Sequence, residues 1–160
     1  MSKALRSAIY QTKPFASLEQ EVYLSIRMAA RMLRDPWAHV LKSREDLSLS
    51  QYNLLRILRG AGEQGLPVGT IAKRMINRDP DVTRLVDRLL KRGYLARERD
   101  GDDRRVVHVM LSPEGAEALA RLDEAANEFA TPLLGFLGKE QLQELDRLLG
   151  LVIEKNPQLP

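Results

Sequence analysis

Two arginines one helical turn apart, Arg84 and Arg88, and the triplet Asp103-Arg104-Arg105 are the residues of this 160-residue chain best placed to do chemistry. That chemistry is recognition rather than bond making. A guanidinium is planar, forked and permanently charged, so it can donate to guanine O6 and N7 together, worth roughly 1–3 kcal/mol against the wrong base. Thr83, beside Arg84, could touch a thymine methyl or a phosphate. Asp81 could accept from a cytosine N4 amine, or reinforce the positive end of a helix dipole and touch no base. Asp103 could orient Arg105 for a narrow minor groove, where negative potential is concentrated, leaving Arg104 for a phosphate. Lys73 and Arg74, with Arg78 in the turn that follows, complete the set of basic candidates. The plainer readings are a surface ion pair for Arg84 with Asp81 or Asp87, solvation for Lys73 or Arg74, and an ordinary acidic hairpin turn for Asp103. That last reading leaves the adjacent arginines unexplained.

Charge is distributed to match. The net formal charge is only +3, yet residues 71–108 carry 11 Lys/Arg against 7 Asp/Glu, and residues 113–160 carry 4 against 9. A phosphate-facing surface requires such a basic concentration. Other classes fall away. The chain has no cysteine, which removes disulfides, thiolate metal sites and thiol redox sensing. His39 and His108 lie in different elements without metal spacing, and there is no nucleophile elbow or glycine-rich phosphate loop. An enzyme, a cofactor or a metal site is therefore not expected. The opening MSKALRSAIYQTKPF lacks the apolar core of a secretory signal. The longest uncharged run, from Phe129 to Gly138, is too short to span a bilayer. A cytoplasmic protein with no membrane partner is the expectation.

The elements that must hold these residues can be read from periodicity. Residues 1–16 read as an arm rather than core. From Ser17, Leu18, Val22, Ile26, Ala29 and Leu33 recur at helical spacing. Asp35-Pro36 should interrupt that helix, or Pro36 should open a second piece. Ser48 and Gln51 form a capping box for a helix ending near Gly60. Val68 to Met75 is a short helix. Asp79-Pro80 should cap and open the next, on which Val82, Leu85, Val86, Leu89 and Leu90 face inward. Thr83, Arg84, Asp87, Arg88 and Lys91 are left outside, and Gly93 stops the helix. The period then changes to two on either side of an Asp-Gly-Asp-Asp turn, from Leu95 to Leu111. His108 reads as an exposed strand residue. Ser112-Pro113-Glu114 starts a long helix that Pro132 should kink or end, and a last helix runs from about Lys139 to Glu154.

The result is a mainly α chain with a small β-hairpin wing: a winged helix-turn-helix over 48–112, flanked by helices over 17–47 and 113–160. Those outer helices have too few neighbours to bury their apolar stripes, so they are expected to form a dimerisation region with a second copy.

SLSQYNLLRIL, PVGTIAKRM, DVTRLVDRLLKRGYLAR and DGDDRRVVHVMLSPEG occur in that order between Ser48 and Gly115. Together they resemble the MarR (multiple antibiotic resistance regulator) family of transcription factors. The family's patterns map, in turn, onto the helix after Ser48, the first helix of the helix-turn-helix, the recognition helix with its strand, and the wing. Pro67 replaces a common threonine cap, and Arg78-Asp79-Pro80-Asp81 replaces a serine- and threonine-rich entry to the recognition helix. The resemblance implies a homodimer binding double-stranded DNA at an imperfect palindrome, with half-sites about 34–36 Å apart. It further implies repression released by a small aromatic or anionic effector between the outer helices and the winged helix. Trp37, His39, Tyr52, Met28 and Arg31 could line such a cleft. A winged helix used for protein–protein contact, without sequence-specific DNA binding, is the alternative.

Overall fold

A computed structural model describes residues 3–76, 81–99 and 107–156. The helices are α1 (Lys3–Ala8), α2 (Leu18–Glu45), α3 (Leu49–Ala61), α4 (Val68–Arg74), α5 (Val82–Lys91), α6 (Pro113–Leu134) and α7 (Lys139–Lys155). Three strands, β1 (Leu66–Pro67), β2 (Leu95–Arg99) and β3 (Val107–Leu111), form an antiparallel sheet in the order β1-β3-β2. The chain divides into two compact units, 1–122 and 123–160, with the break inside α6.

The first unit is built on the apolar spacing already noted. Leu41, Leu54, Leu55, Leu58, Ile71, Val86, Leu89, Val109, Leu119 and Leu122 are fully buried and belong to one core. Local chemistry sets the helix starts. The Ser48 hydroxyl accepts from Gln51 N–H while the Gln51 side chain accepts from Ser48 N–H, as the capping-box spacing predicts. In the second unit, Leu145, Leu148, Leu149, Val152 and Ile153 of α7 are exposed in the single chain.

Three expectations about the helices are corrected. Residues 1–16 are not simply an arm, because Lys3–Ala8 is helical, packs on α2 and buries Leu5. Pro36 does not break the first long helix, which runs unbroken for 28 residues. The proline ring removes the N–H that would serve the Met32 carbonyl. Both residues are on the exposed side, where water can serve that carbonyl instead. The recognition helix opens two residues later than expected, with Asp81 as N-cap and Val82 as first helical residue.

The sheet holds the corner where the recognition helix turns into the wing. Leu95 pairs with Leu111 and Arg99 with Val107. His108 is half-buried rather than exposed, with its Nδ1 2.8 Å from the Gln64 carbonyl oxygen. β1 explains this: Pro67 pairs with His108 and brings the preceding turn over the strand. At the helix end, Tyr94 N–H reaches the Leu89 carbonyl and Gly93 N–H the Leu90 carbonyl, a Schellman closure with Gly93 at φ +76°. Only glycine takes that backbone without strain.

Candidate nucleic-acid interface

Helix α5 carries its aliphatic residues on one side and its polar ones on the other. Val82, Leu85, Val86 and Leu89 are buried, while Thr83, Arg84, Arg88 and Lys91 are exposed. The 3.6-residue period places Arg84 and Arg88 one above the other on the outer face. Asp81 has two jobs at the helix start. One carboxylate oxygen accepts from Arg84 N–H at 3.2 Å, and the other lies 2.9 Å from Arg84 Nε. Of the two readings of Asp81, its cap and dipole role has this local geometry behind it, and the ion pair expected for Arg84 is made with Asp81 rather than Asp87.

Asp87 is half-buried and bonds Arg97 of β2 at 2.7 Å, tying the recognition helix to the wing strand. On α4, Lys73 and Arg74 are both exposed in the last turn. The turn after α4 is anchored from α3, where the Asn53 side-chain oxygen accepts from Ile76 N–H at 3.0 Å. Arg78, with Asp79 and Pro80, lies outside the described residues, as do Asp103, Arg104 and Arg105. The described residues therefore bring Lys73, Asp81, Thr83, Arg84 and Arg88 onto α4 and α5, and the two wing strands flank the position of the triplet.

Sequence reasoning missed the group that holds the far end of α5. Glu45, the last residue of α2, has a side chain only 9% exposed. Its carboxylate accepts from Arg121 Nε at 2.6 Å and Nη2 at 3.2 Å, and from the Tyr94 hydroxyl at 3.3 Å. The Arg121 hydrogen bond, helped by Tyr94 and by the nearby charge of Arg92, holds the Glu45 carboxyl below its usual range against the opposing effect of burial. Arg92, the C-cap of α5, donates to the Glu45 and Asp46 carbonyls at 2.6 and 2.7 Å and lies over the Tyr94 ring. The guanidinium thus meets the negative end of the α2 dipole. Partners 46 to 76 residues apart carry no local pattern, so no spacing rule would find them.

Of the effector-cleft candidates, Trp37 and Tyr52 meet edge to face, with ring centroids 5.5 Å apart. Arg56, absent from the sequence expectation, stands over the Tyr52 ring at 5.8 Å. His39 is exposed, Met28 half-buried, and Arg31 is exposed and paired with Asp35.

The arrangement of α3, α4, α5 and the β2–β3 hairpin has known counterparts. The MarR family model matches residues 47–107. An uncharacterised HTH-type transcriptional regulator of Mycobacterium leprae is 30% identical over 139 residues, 87% of this chain and 92% of the relative. This chain belongs to the MarR family. A MarR transcription factor from Planctomyces limnophilus is 38% identical, with a TM-score of 0.62 over 86% of this chain and 99% of its own. A MarR family regulator from Streptomyces coelicolor, solved in complex with DNA, is 26% identical with a TM-score of 0.75, covering 91% and 92% of the two chains. MarR proteins are transcriptional regulators and not enzymes, so this protein is a winged-helix transcriptional regulator. The alternative of a protein-binding winged helix finds no support among these relatives.

Proposed function

We propose that this MarR protein is a cytoplasmic homodimer that binds an imperfect DNA palindrome and represses transcription until a small aromatic or anionic effector releases it. The observation that carries the DNA-reading mode is the two-sided α5, with Thr83, Arg84 and Arg88 exposed opposite the buried Val82, Leu85, Val86 and Leu89. Among the described residues, no helix is long and apolar enough to cross a membrane.

In this reading α5 enters the major groove, with Arg84 and Arg88 donating to guanine edges and Thr83 meeting a thymine methyl or a phosphate. The Asp81–Arg84 pair does not prevent this. Arg84 is exposed and Asp81 half-buried, and such surface pairs are worth about 0–1 kcal/mol, less than the ~1–3 kcal/mol of a bidentate guanine contact. Asp81 then acts as cap and as a guide for Arg84 before DNA arrives. Lys73, Arg78 and Arg104 take phosphates, and Arg105, oriented by Asp103, takes the minor groove. The exposed apolar side chains of α7, and those of α2 at Leu18, Val22 and Tyr23, are covered by the second copy. The Trp37–Tyr52 pair with Arg56 offers an aromatic wall and a cation, which suits an aromatic anion. By linkage, such a ligand weakens DNA binding only if it prefers the geometry that mismatches the operator.

The test is binding of the purified protein to a fluorescent copy of its own promoter region across a salt series, with Arg84→Ala and Arg105→Ala alongside. Contact with about six to ten phosphates predicts a loss of roughly three to five decades in affinity between 50 and 200 mM salt. Sequence-selective, salt-steep binding that both variants lose supports the reading. Binding equal for scrambled DNA and indifferent to both substitutions overturns it.

A further inference from the structure

The junction at the end of α2 joins three helices. Glu45 closes α2, Arg92 closes α5, Arg121 stands on α6, and Tyr94 ends the short link between α5 and β2. Five hydrogen bonds of 3.3 Å or less meet there, counting Glu45 and Asp46 as acceptors. Asp46 itself sits in the left-handed region, at φ 52°, a backbone that non-glycine residues adopt at a cost. It is kept there by Leu47 N–H to the Leu41 carbonyl, by its ion pair with Lys42 and by Arg92 on its carbonyl. A strained turn held from three directions has one geometry, and Arg92 fixes the C-terminal end of α5 to it.

We infer that the Glu45–Arg92–Arg121–Tyr94 junction is the pivot that sets the angle of the recognition helix on α2 and α6, and so the half-site spacing that the dimer accepts. These are positioning residues, and none needs to touch DNA. The inference rests on the palindrome-binding dimer proposed above. Breaking the Glu45–Arg121 bonds unties α2 from α6 beneath the Arg92 anchor, so α5 can tilt with α2 while its own face stays intact. One recognition helix would still read one half-site, but two helices would no longer be held at a single separation.

The experiment uses the full-length protein and duplexes that the wild type selects from a library with a random core of about two helical turns, ~20 bp. The enriched palindrome is compared with versions carrying one base pair more or fewer between half-sites, and with a version having one half-site scrambled. Glu45→Gln, Arg121→Gln and the double variant are measured beside the wild type, with thermal unfolding to establish that each is folded. The expected result is that preference for the selected spacing falls by about fivefold or more, while affinity for the single half-site stays within about twofold. The double variant should lose little more than either single one, because both remove the same ion pair. Folded variants that keep the wild-type spacing preference overturn the pivot and leave the dimer reading standing. A wild type indifferent to spacing overturns both.

Discussion

Asp81 caps α5 and, in the proposed function, also guides Arg84. Its carboxylate caps α5 through Arg84 N–H and holds the Arg84 guanidinium at 2.9 Å. The two jobs separate by substitution. Asp81→Ala removes both, and loss of an N-cap costs about 0.5–2 kcal/mol, so urea unfolding should show a destabilisation in that range. Asp81→Asn keeps a capping oxygen and loses the charge, so it should stay within a few tenths of a kcal/mol of wild type. It should also bind DNA at least as tightly as wild type, because an acid near phosphates is gone, but discriminate less between operator and scrambled duplex. Equal discrimination by Asp81→Asn and wild type would show that the Asp81–Arg84 pair guides nothing.

Elements are where sequence patterning was most and least informative. The inward face of α5, the two alternating wing strands and the long helix from Pro113 were all legible, because burial imposes periods of 3.6 and 2 on the apolar residues. The capping box at Ser48 was legible because its partners are three residues apart. The unbroken α2 was not, since proline's local cost is visible in sequence while the hydration that offsets it is not. The two-residue strand β1 has no period to detect. Nor could sequence show that α6 starts against the α5–β2 corner at backbone distance. Ser112 N–H donates to the Tyr94 carbonyl, the Ser112 hydroxyl to the Gly93 carbonyl, and Gly115 N–H to the Ser112 hydroxyl. A Cβ on Gly115 would lie 2.2 Å from the Tyr94 carbonyl oxygen, a backbone atom that no rotamer change can move. Gly115→Ala should therefore destabilise by about 1–3 kcal/mol, the usual range for overpacking. It should also weaken operator binding, because the corner that must shift carries the end of the recognition helix. Chemical denaturation and operator titration read the two effects separately. An unchanged unfolding midpoint would mean that the corner yields without cost.

At the scale of the whole molecule, the question is why a transcriptional regulator exposes so much aliphatic surface. Leu145, Leu148, Leu149, Leu151, Val152 and Ile153 of α7 are all open in the single chain, Ile153 to 72%. Scattered apolar residues are ordinary on a surface, but six within nine positions of one helix make a patch that marks an interaction site. In the proposed function the occupant is a second copy, since two-fold symmetry would present two recognition helices to a palindrome. Leu149→Glu combined with Val152→Glu puts two charges into that patch without touching the core of residues 1–122. If the patch is the interface between copies, light scattering should show the mass of the wild-type dimer halved in the double variant at micromolar concentration. Far-ultraviolet circular dichroism should stay helical. Affinity for the palindrome should fall toward that for a single half-site, because binding of the second site is no longer intramolecular. A double variant that remains a dimer and binds the palindrome as wild type does would place the interface elsewhere and leave the α7 surface for another partner.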